Sequence, residues 1–427
     1  MRIAMALLGP VVVIAEHPTA ATVEALGQAG AFPIVEAGWA DARAAIDEIQ
    51  PAALLLAEPD PPPNPRVAQV LTGRIEAMHL LMPVLARLDE HGAVPIPYAL
   101  AVSVKEPMSR LTDRLRSALR VRSLHATVLR RAGTAAQPAK ECAFPLHGSL
   151  DHATVLCVGR GRYYPALAVA VGEQVGLIGA MSVETAARFL KSRDIEGIVI
   201  GDGFPPRVVE ALLTVLAEDT RFRDLPVGML GGQAVSDDRL PNLIQVQSDP
   251  QRLVERLIPF VRLQAFEGHL KRLLKSLETD GTLDPATGLF ARSAFWSDLE
   301  RAVKDAETSG GALSVARFSF EETNDGRAHL DAARLFSRLV RNIDFACQDE
   351  DGSILAAFTE TDLRSAHVVA RRIASVLKHT MLSPDLDREA IRPTVTLATL
   401  KPSDNLSTLV ARVGTYPKGT CPQVAAG

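Results

Sequence analysis

The chain has little of what would mark several common kinds of chemistry. Only four cysteines occur in 427 residues (Cys142, Cys157, Cys347 and Cys421), scattered and without a CxxC pair. That excludes a disulfide framework and a cysteine zinc site, and it suits a reducing compartment. The ten histidines show no HxxxH spacing beside a carboxylate cluster, so no metal or cofactor is assigned. Aromatics make up 5% and the formal net charge is −4, which leaves neither a basic face nor stacking platforms for nucleic acid. No apolar run reaches the length of a membrane helix. Met1-Arg2 and the apolar run to Ala15 could imitate a signal peptide, but the β-branched Val11–Ile14 reads as a first core strand. A cytoplasmic protein without membrane attachment is expected.

What is there belongs to a large globular protein, with 47% hydrophobic and 22% charged residues over a length that calls for about three domains. Residues 1–135 alternate short apolar runs (Val11–Ala15, Phe32–Glu36, Ala53–Leu56, Ile96–Val102, Ala126–Leu129) with amphipathic stretches at Ala20–Ala29 and Ala40–Ile49. This alternation predicts a parallel sheet covered by helices. Pro59–Pro65 cannot be helix interior and reads as a loop at a strand end. After a linker at 136–150 the pattern repeats over 151–262. Strands are expected at Val155–Val158, Gly176–Ile178, Ile198–Ile200, Val227–Leu230 and Leu243–Val246, with helices at Val183–Leu190 and Arg207–Leu216. The two units read as an internal duplication. Next, Leu263, Phe266, Leu270, Leu273 and Leu277 fall at 3, 4, 3 and 4 spacing. They form either the buried stripe of a last helix or, as the favoured expectation, the seam of a helical stalk at 263–283 that pairs two chains. A third unit fills 284–427.

The two α/β units resemble response-regulator receiver domains of two-component systems, doubly wound and flavodoxin-like. That resemblance implies an acidic pair after the first strand, an Asp after the third, a hydroxyl after the fourth and a Lys after the fifth. Magnesium wants hard oxygen ligands and the transferred phosphoryl needs a cation. In the first unit Ala57 stands where the acceptor Asp should be, Glu16 alone remains of the acidic pair, and Glu58 is one residue off. In the second, Gly159-Arg160 replaces the acidic pair, Gly231 takes the hydroxyl position, and no lysine occurs between Lys191 and Lys271. Asp202 is the candidate acceptor, although counting back from Pro205 places Gly201 there. Both units are expected to be degenerate receivers, with phosphorylation of Asp202 not expected.

The third unit opens on Asp-Pro-Ala-Thr-Gly-Leu-Phe-Ala-Arg at 284–292, which resembles the D-x-L-T-G-L-x-N-R opening of GGDEF domains, the diguanylate cyclase family. An apolar strand at Leu313–Phe320 leads to Asn324-Asp325, Arg341-Asn342-Ile343-Asp344 follows a helix, and residues 350–354 (Glu-Asp-Gly-Ser-Ile) fill the signature turn. With the two receivers this is similar to the domain order of PleD/PopA-type regulators. The resemblance implies a truncated nucleotidyl-cyclase-like domain of ferredoxin-like α+β fold.

The departures carry the functional reading. Aligned on the family, Ala316 and Phe318 occupy the two strand aspartates, and Gly352 and Ser353 fall in the turn, with Ser353 at its carboxylate. The G-H-x-x-G-D stretch that should follow Asn324-Asp325 is missing. A divalent metal over GTP would have no anionic ligand there, so no catalysis and no catalytic residue are expected. The inhibitory site of the family implies a different role for Arg341, Asp344 and Arg372: arginine forks for guanine or phosphate, and an Asp for the guanine hydrogens. Arg371 is expected on another helix face. The expected function is a catalytically inactive effector that binds cyclic di-GMP, forms a homodimer and recruits partner proteins. A divergent active cyclase and a nucleotide-independent scaffold are the alternatives.

Overall fold

The structure is a computed structural model that describes residues 9–17, 20–57, 65–89, 92–94, 96, 98–132, 150–231, 239–279, 281–309, 311–320, 326–341, 343–380, 393–402 and 404–414. Its chain forms two compact units, Met1–Ala187 with Ile195–Lys271, and Arg188–Asp194 with Arg272–Gly427. Among the described residues no helix is long and apolar enough to cross a membrane.

The first sheet is built from β1 (Val11–Ile14), α1 (Ala20–Gln28), β2 (Ile34–Ala37), α2 (Ala42–Ile49), β3 (Ala53–Leu56), α3 (Pro65–Glu76), β4 (Val84–Leu88), β5 (Leu100–Ser103) and α4 (Met108–Ala132). All its pairings are parallel, in the order β2-β1-β3-β4-β5. This is the flavodoxin-like doubly wound order. β1 and β3 are buried along their whole length, as unbroken apolar strands covered on both faces must be.

Two expectations fail here. Ala126–Leu129 is not a strand but lies inside α4, because Leu111, Leu115, Ala118, Val121, His125, Val128 and Ala132 recur at helical spacing and are all buried. The fourth strand is instead Val84–Leu88, whose half-exposed Arg87 interrupts the apolar run. The expected Ile96–Val102 shortens to Leu100–Ser103, since Pro95 and Pro97 have no N–H to give to a ladder. Glu58 and Pro59–Asn64 lie outside the described residues.

The second sheet repeats the plan with β6 (Leu150–Val158), α5 (Tyr164–Gly172), β7 (Val175–Ala180), α6 (Val183–Ser192), β8 (Gly197–Ile200), α7 (Pro206–Glu218), β9 (Val227–Leu230), β10 (Leu243–Val246) and α8 (Pro250–Glu278). Its order, β10-β9-β8-β6-β7, has the same connectivity. Neither sheet has a helix between its fourth and fifth strands among the described residues. The closing helices of the two halves meet instead. Arg114 of α4 lies over the Phe260 ring of α8 at 5.3 Å, and His125 meets Phe266 edge-on at 5.0 Å. One apolar cluster runs from Val11 and Leu55 through Leu115 to Val155, Leu253 and Phe260, so the duplicated halves share a core.

The residues of the expected seam fall on the second of these closing helices. α8 runs unbroken from Pro250, so residue 263 is not a boundary. Phe266, Leu270 and Leu273 are no more than 2% exposed within the single chain, while Leu263 and Leu277 are partly covered, so the middle of the stripe is taken up by intrachain packing.

The third unit contains α9 (Arg292–Ser309), β11 (Leu313–Phe320), α10 (Gly326–Leu339), β12 (Phe345–Gln348), β13 (Ile354–Thr359), α11 (Leu363–Thr380), β14 (Pro393–Thr399) and α12 (Leu406–Ala411). The antiparallel sheet runs β12-β13-β11-β14, a βαββαβ ferredoxin-like order. Alternate residues of β11 face two different cores. Ala316 and Phe318 point to α10 and α11, where Phe318 meets Phe336 edge-on at 4.9 Å. Leu313 and Val315 join Phe295 and Leu299 of α9 on the other side. Thus the fold class expected from the sequence is the one observed.

Candidate functional site

The receiver-like positions are filled by structural contacts. Ala57 directly follows β3, 2% exposed, its N–H on the Ile14 carbonyl at 3.0 Å. Glu16 accepts from the Trp39 N–H at 3.2 Å. Lys105 follows β5 by two residues, a lysine after the fifth strand that the sequence pattern leaves unassigned. In the second sheet Asp202 accepts from the N–H groups of Arg162 (3.0 Å) and Tyr163 (3.1 Å), tying the loop that enters α5. A Cβ at Gly161 would stand 2.2 Å from the Asp202 carboxyl carbon, so the close approach requires glycine there. Arg160 lies over the Phe204 ring at 5.3 Å and donates to the Gly203 carbonyl at 3.0 Å.

In the third unit the Asp284 motif proves to be a turn. Asp284 Oδ1 accepts from Ala286 N (2.6 Å) and Thr287 N (2.9 Å), and Thr287 Oγ1 from Leu289 N (3.2 Å). Its chemistry is that of an Asx turn.

The hairpin between β12 and β13 closes through Asp349 N to Ser353 O at 2.8 Å, with Gly352 in the left-handed region at φ 79°. Arg292 donates from Nε to Asp349 (2.9 Å) and from Nη1 to Glu350 (3.1 Å). Arg317, the one cation in the β11 run, donates from Nε to Ser353 Oγ at 3.2 Å and from Nη2 to the Asp351 carboxylate. Ser353 gives Asp351 Oδ1 its N–H (3.0 Å) and its hydroxyl (2.6 Å). Burial pushes the Asp351 carboxyl up, but the Ser353 and Arg317 hydrogen bonds outweigh it and leave it below the ordinary range. All three turn carboxylates are therefore held by arginine or serine. Ala316 and Phe318, at the expected metal positions, are fully buried and offer no oxygen. Among the described residues no cluster of three His, Cys, Asp or Glu side chains could hold a metal. Asn324 lies outside the described residues. The sequence marks Arg292 only as the close of the 284–292 motif and gives Arg317 no role, although a lone arginine within Leu313–Phe320 is the available signal.

Arg341, Asp344 and Arg372 are placed unequally. Arg341 is exposed at the end of the segment that follows α10, and its carbonyl accepts from Asp344 N at 3.0 Å. Asp344 is 7% exposed and accepts from the Thr359 N–H at 3.1 Å, while Thr359 Oγ1 donates to the Ile343 carbonyl at 2.8 Å. Burial raises the Asp344 carboxyl above its ordinary range, against the Thr359 hydrogen bond and the Arg341 charge. No ion pair within 4.0 Å joins Arg341 to Asp344 among the described residues. Arg372 stands exposed on α11, with no hydrogen bond to either residue. Arg371, expected on another face, lines the same open groove of about 800 Å³ as Arg372, together with Leu363, Arg364, His367 and Val368.

No protein-family model and no curated protein matches the chain. Among solved structures it is similar to the coiled coil and GGDEF domain of DgcB from Caulobacter crescentus in complex with c-di-GMP. The identity is 22% and the TM-score 0.30, over 34% of this chain and 83% of that one. The FimX GGDEF domain from Pseudomonas aeruginosa matches at 17% identity and a TM-score of 0.28, over 31% and 89%. Diguanylate cyclase SiaD in complex with its activator SiaC, from the same organism, matches at 18% and 0.30, over 34% and 59%.

Proposed function

We propose that the chain is a catalytically inactive GGDEF-type signalling protein of the cytoplasm that binds cyclic di-GMP through Arg341, Asp344 and Arg372. One observation carries the reading: the third unit leaves Arg341 and Arg372 exposed and outside any ion pair among the described residues, while every carboxylate of the signature turn is neutralised. A dianionic ligand with two guanines suits guanidinium forks, which can bond a phosphate or the O6 and N7 of guanine in pairs. Asp344, sunk and holding the Thr359 N–H, sets the turn that presents Arg341. The apolar side chains of Ala316 and Phe318 support the loss of GTP cyclisation, because a metal needs anionic oxygens at those places. Isothermal titration of the full chain with cyclic di-GMP tests the proposal. Saturable binding that Arg341→Ala removes is expected, and heats equal to dilution at high micromolar ligand would refute it.

A further inference from the structure

We propose that the outer face of α11 is a docking surface for an acidic amphipathic helix of a partner protein. The inner stripe of this helix, Ala366, Val369, Ala370, Ile373 and Leu377, is buried and meets the packing needs of the unit. The outer stripe places Arg364, Val368, Arg371, Arg372 and Ser375 in solvent over three turns, along one open groove. Two features separate it from an ordinary solvated face. Val368 is 67% exposed and Leu363 47%, so an apolar seam runs through the charged stripe. Moreover, residues 363–378 include four Arg or Lys and no acid, in a chain of net charge −4.

The contrast with α9 shows that the pattern is particular to this helix. On α9 the exposed cations are neutralised within the helix, Lys304 by Glu300 at 2.8 Å and Arg301 by Asp298. On α11, Arg371, Arg372 and Lys378 take part in no ion pair among the described residues. The cations stand side by side or about two turns apart, and among the described residues only Arg364 has a carboxylate near it, Asp362 at the start of the helix. An acidic ligand would neutralise the rest.

The shape of the face selects the class of partner. A ridge at spacings of three and four residues is what a second helix packs against, with an apolar seam flanked by charge as in helix-in-groove recognition. A second copy of the same face is disfavoured, because a two-fold contact would set cations opposite cations. Nucleic acid would meet an aliphatic centre with a single imidazole, His367, to stack on, and a bilayer would gain only two aliphatic side chains to insert. An acidic helix with Leu or Ile at its seam and Glu or Asp on either side satisfies both the charge and the aliphatic contact.

The inference stands apart from cyclic di-GMP binding, which is proposed on Arg341, Asp344 and Arg372, and needs neither Arg341 nor Asp344. The test uses the full chain without nucleotide and, as probe, a fluorescein-labelled helical peptide with a leucine seam flanked by glutamates. A second peptide of the same composition, permuted to break the seam, serves as control. The seam peptide should bind, with affinity falling as salt rises, and the permuted one should bind at least about tenfold more weakly. Arg364→Glu with Arg371→Glu should abolish binding of the seam peptide, whereas Arg341→Ala, which lies off this helix, should leave the seam peptide bound as in the wild type. Val368→Asp should weaken it at an unaltered melting temperature. Equal binding of the two peptides, retained affinity in the charge-reversed variant, or tighter binding to phosphatidylglycerol vesicles or a short DNA duplex than to the seam peptide would overturn the proposal.

Discussion

Arg114 and Arg256 occupy equivalent places in the two halves of the duplicated unit. Each lies six residues past the start of the helix that closes its own sheet (108 to 114, and 250 to 256), and each donates to backbone carbonyls of the other half. Arg114 reaches Pro241 (2.9 Å) and Leu243 (2.7 Å), and Arg256 reaches Asp89 (2.7 Å). The duplication is thus a packed pseudo-symmetric pair rather than two beads on a string.

Arg114 is the more deeply sunk of the two, and burial lowers its pKa, partly countered by Glu106. Its fork meets both Glu106 oxygens at 2.9 and 3.0 Å. Arg114→Ala leaves that carboxylate and three carbonyls without their donor, and should lower stability by about 3–5 kcal/mol. Urea unfolding followed by circular dichroism should show an earlier midpoint, or two transitions where the wild type shows one. A loss below about 1 kcal/mol would mean that the clamp is not formed in solution.

Asp344 provides a pH-dependent check on its burial. Because the native carboxyl is raised from 3.8 by desolvation, the folded chain holds its proton to higher pH than the unfolded chain does. The stability from this group is full below the unfolded pKa and is lost as pH rises through that value toward the raised one, levelling above it. Asp344→Asn keeps an acceptor for the Thr359 N–H and removes the titration. Wild-type stability minus that of the variant should therefore fall with rising pH across this window. A rise would show that hydrogen bonding, not desolvation, sets the pKa.

Enzymatic silence is equally open to measurement. Incubation with GTP and magnesium or manganese should yield no cyclic di-GMP above a protein-free control. Product that disappears on Glu350→Gln or Asp351→Asn would show that the turn binds metal despite its arginines.

Much of this architecture could be read from the sequence because it depends on local pattern. Ala53–Leu56, Val227–Leu230 and Leu243–Val246 are strands at the expected residues, being short apolar runs between turn signals. Ala126–Leu129 misleads because it is apolar at both strand and helical spacing, and only the longer stripe from Leu111 decides. The crossed arginines were beyond reach, since Arg114 and Pro241 lie 127 residues apart and no local signal joins them. For the same reason the spacing of Arg341 and Asp344 was legible, whereas the burial of Asp344 under Thr359 was not.

The apolar stripe of α8 illustrates the difference between a seam and a core. Leu270 is fully buried within its own chain, so Leu270→Glu should destabilise the fold by about 3 kcal/mol or more rather than separate two folded chains. Light scattering with thermal unfolding distinguishes the outcomes. A folded monomer produced from a wild-type dimer, at unchanged melting temperature, would restore the stalk.

The ligand site gives the most direct prediction. Arg341→Ala removes a planar fork, and the loss of a charge-assisted bidentate contact should weaken cyclic di-GMP binding by about 2–4 kcal/mol, roughly 30- to 1,000-fold. Arg341→Lys should also impair it, because a point charge cannot reproduce two parallel bonds. Arg372→Ala should matter less, since Arg372 makes no hydrogen bond or ion pair with Arg341 or Asp344 and would only complete the clamp. Arg371→Ala, on the same groove, separates specific contact from general attraction. If only the positive charge of α11 counts, Arg371→Ala and Arg372→Ala will weaken binding alike and salt will erase the difference from wild type. If Arg372 bonds the ligand, its loss persists at high salt while that of Arg371 does not. Equal binding by wild type and Arg341→Ala would remove the proposed site altogether.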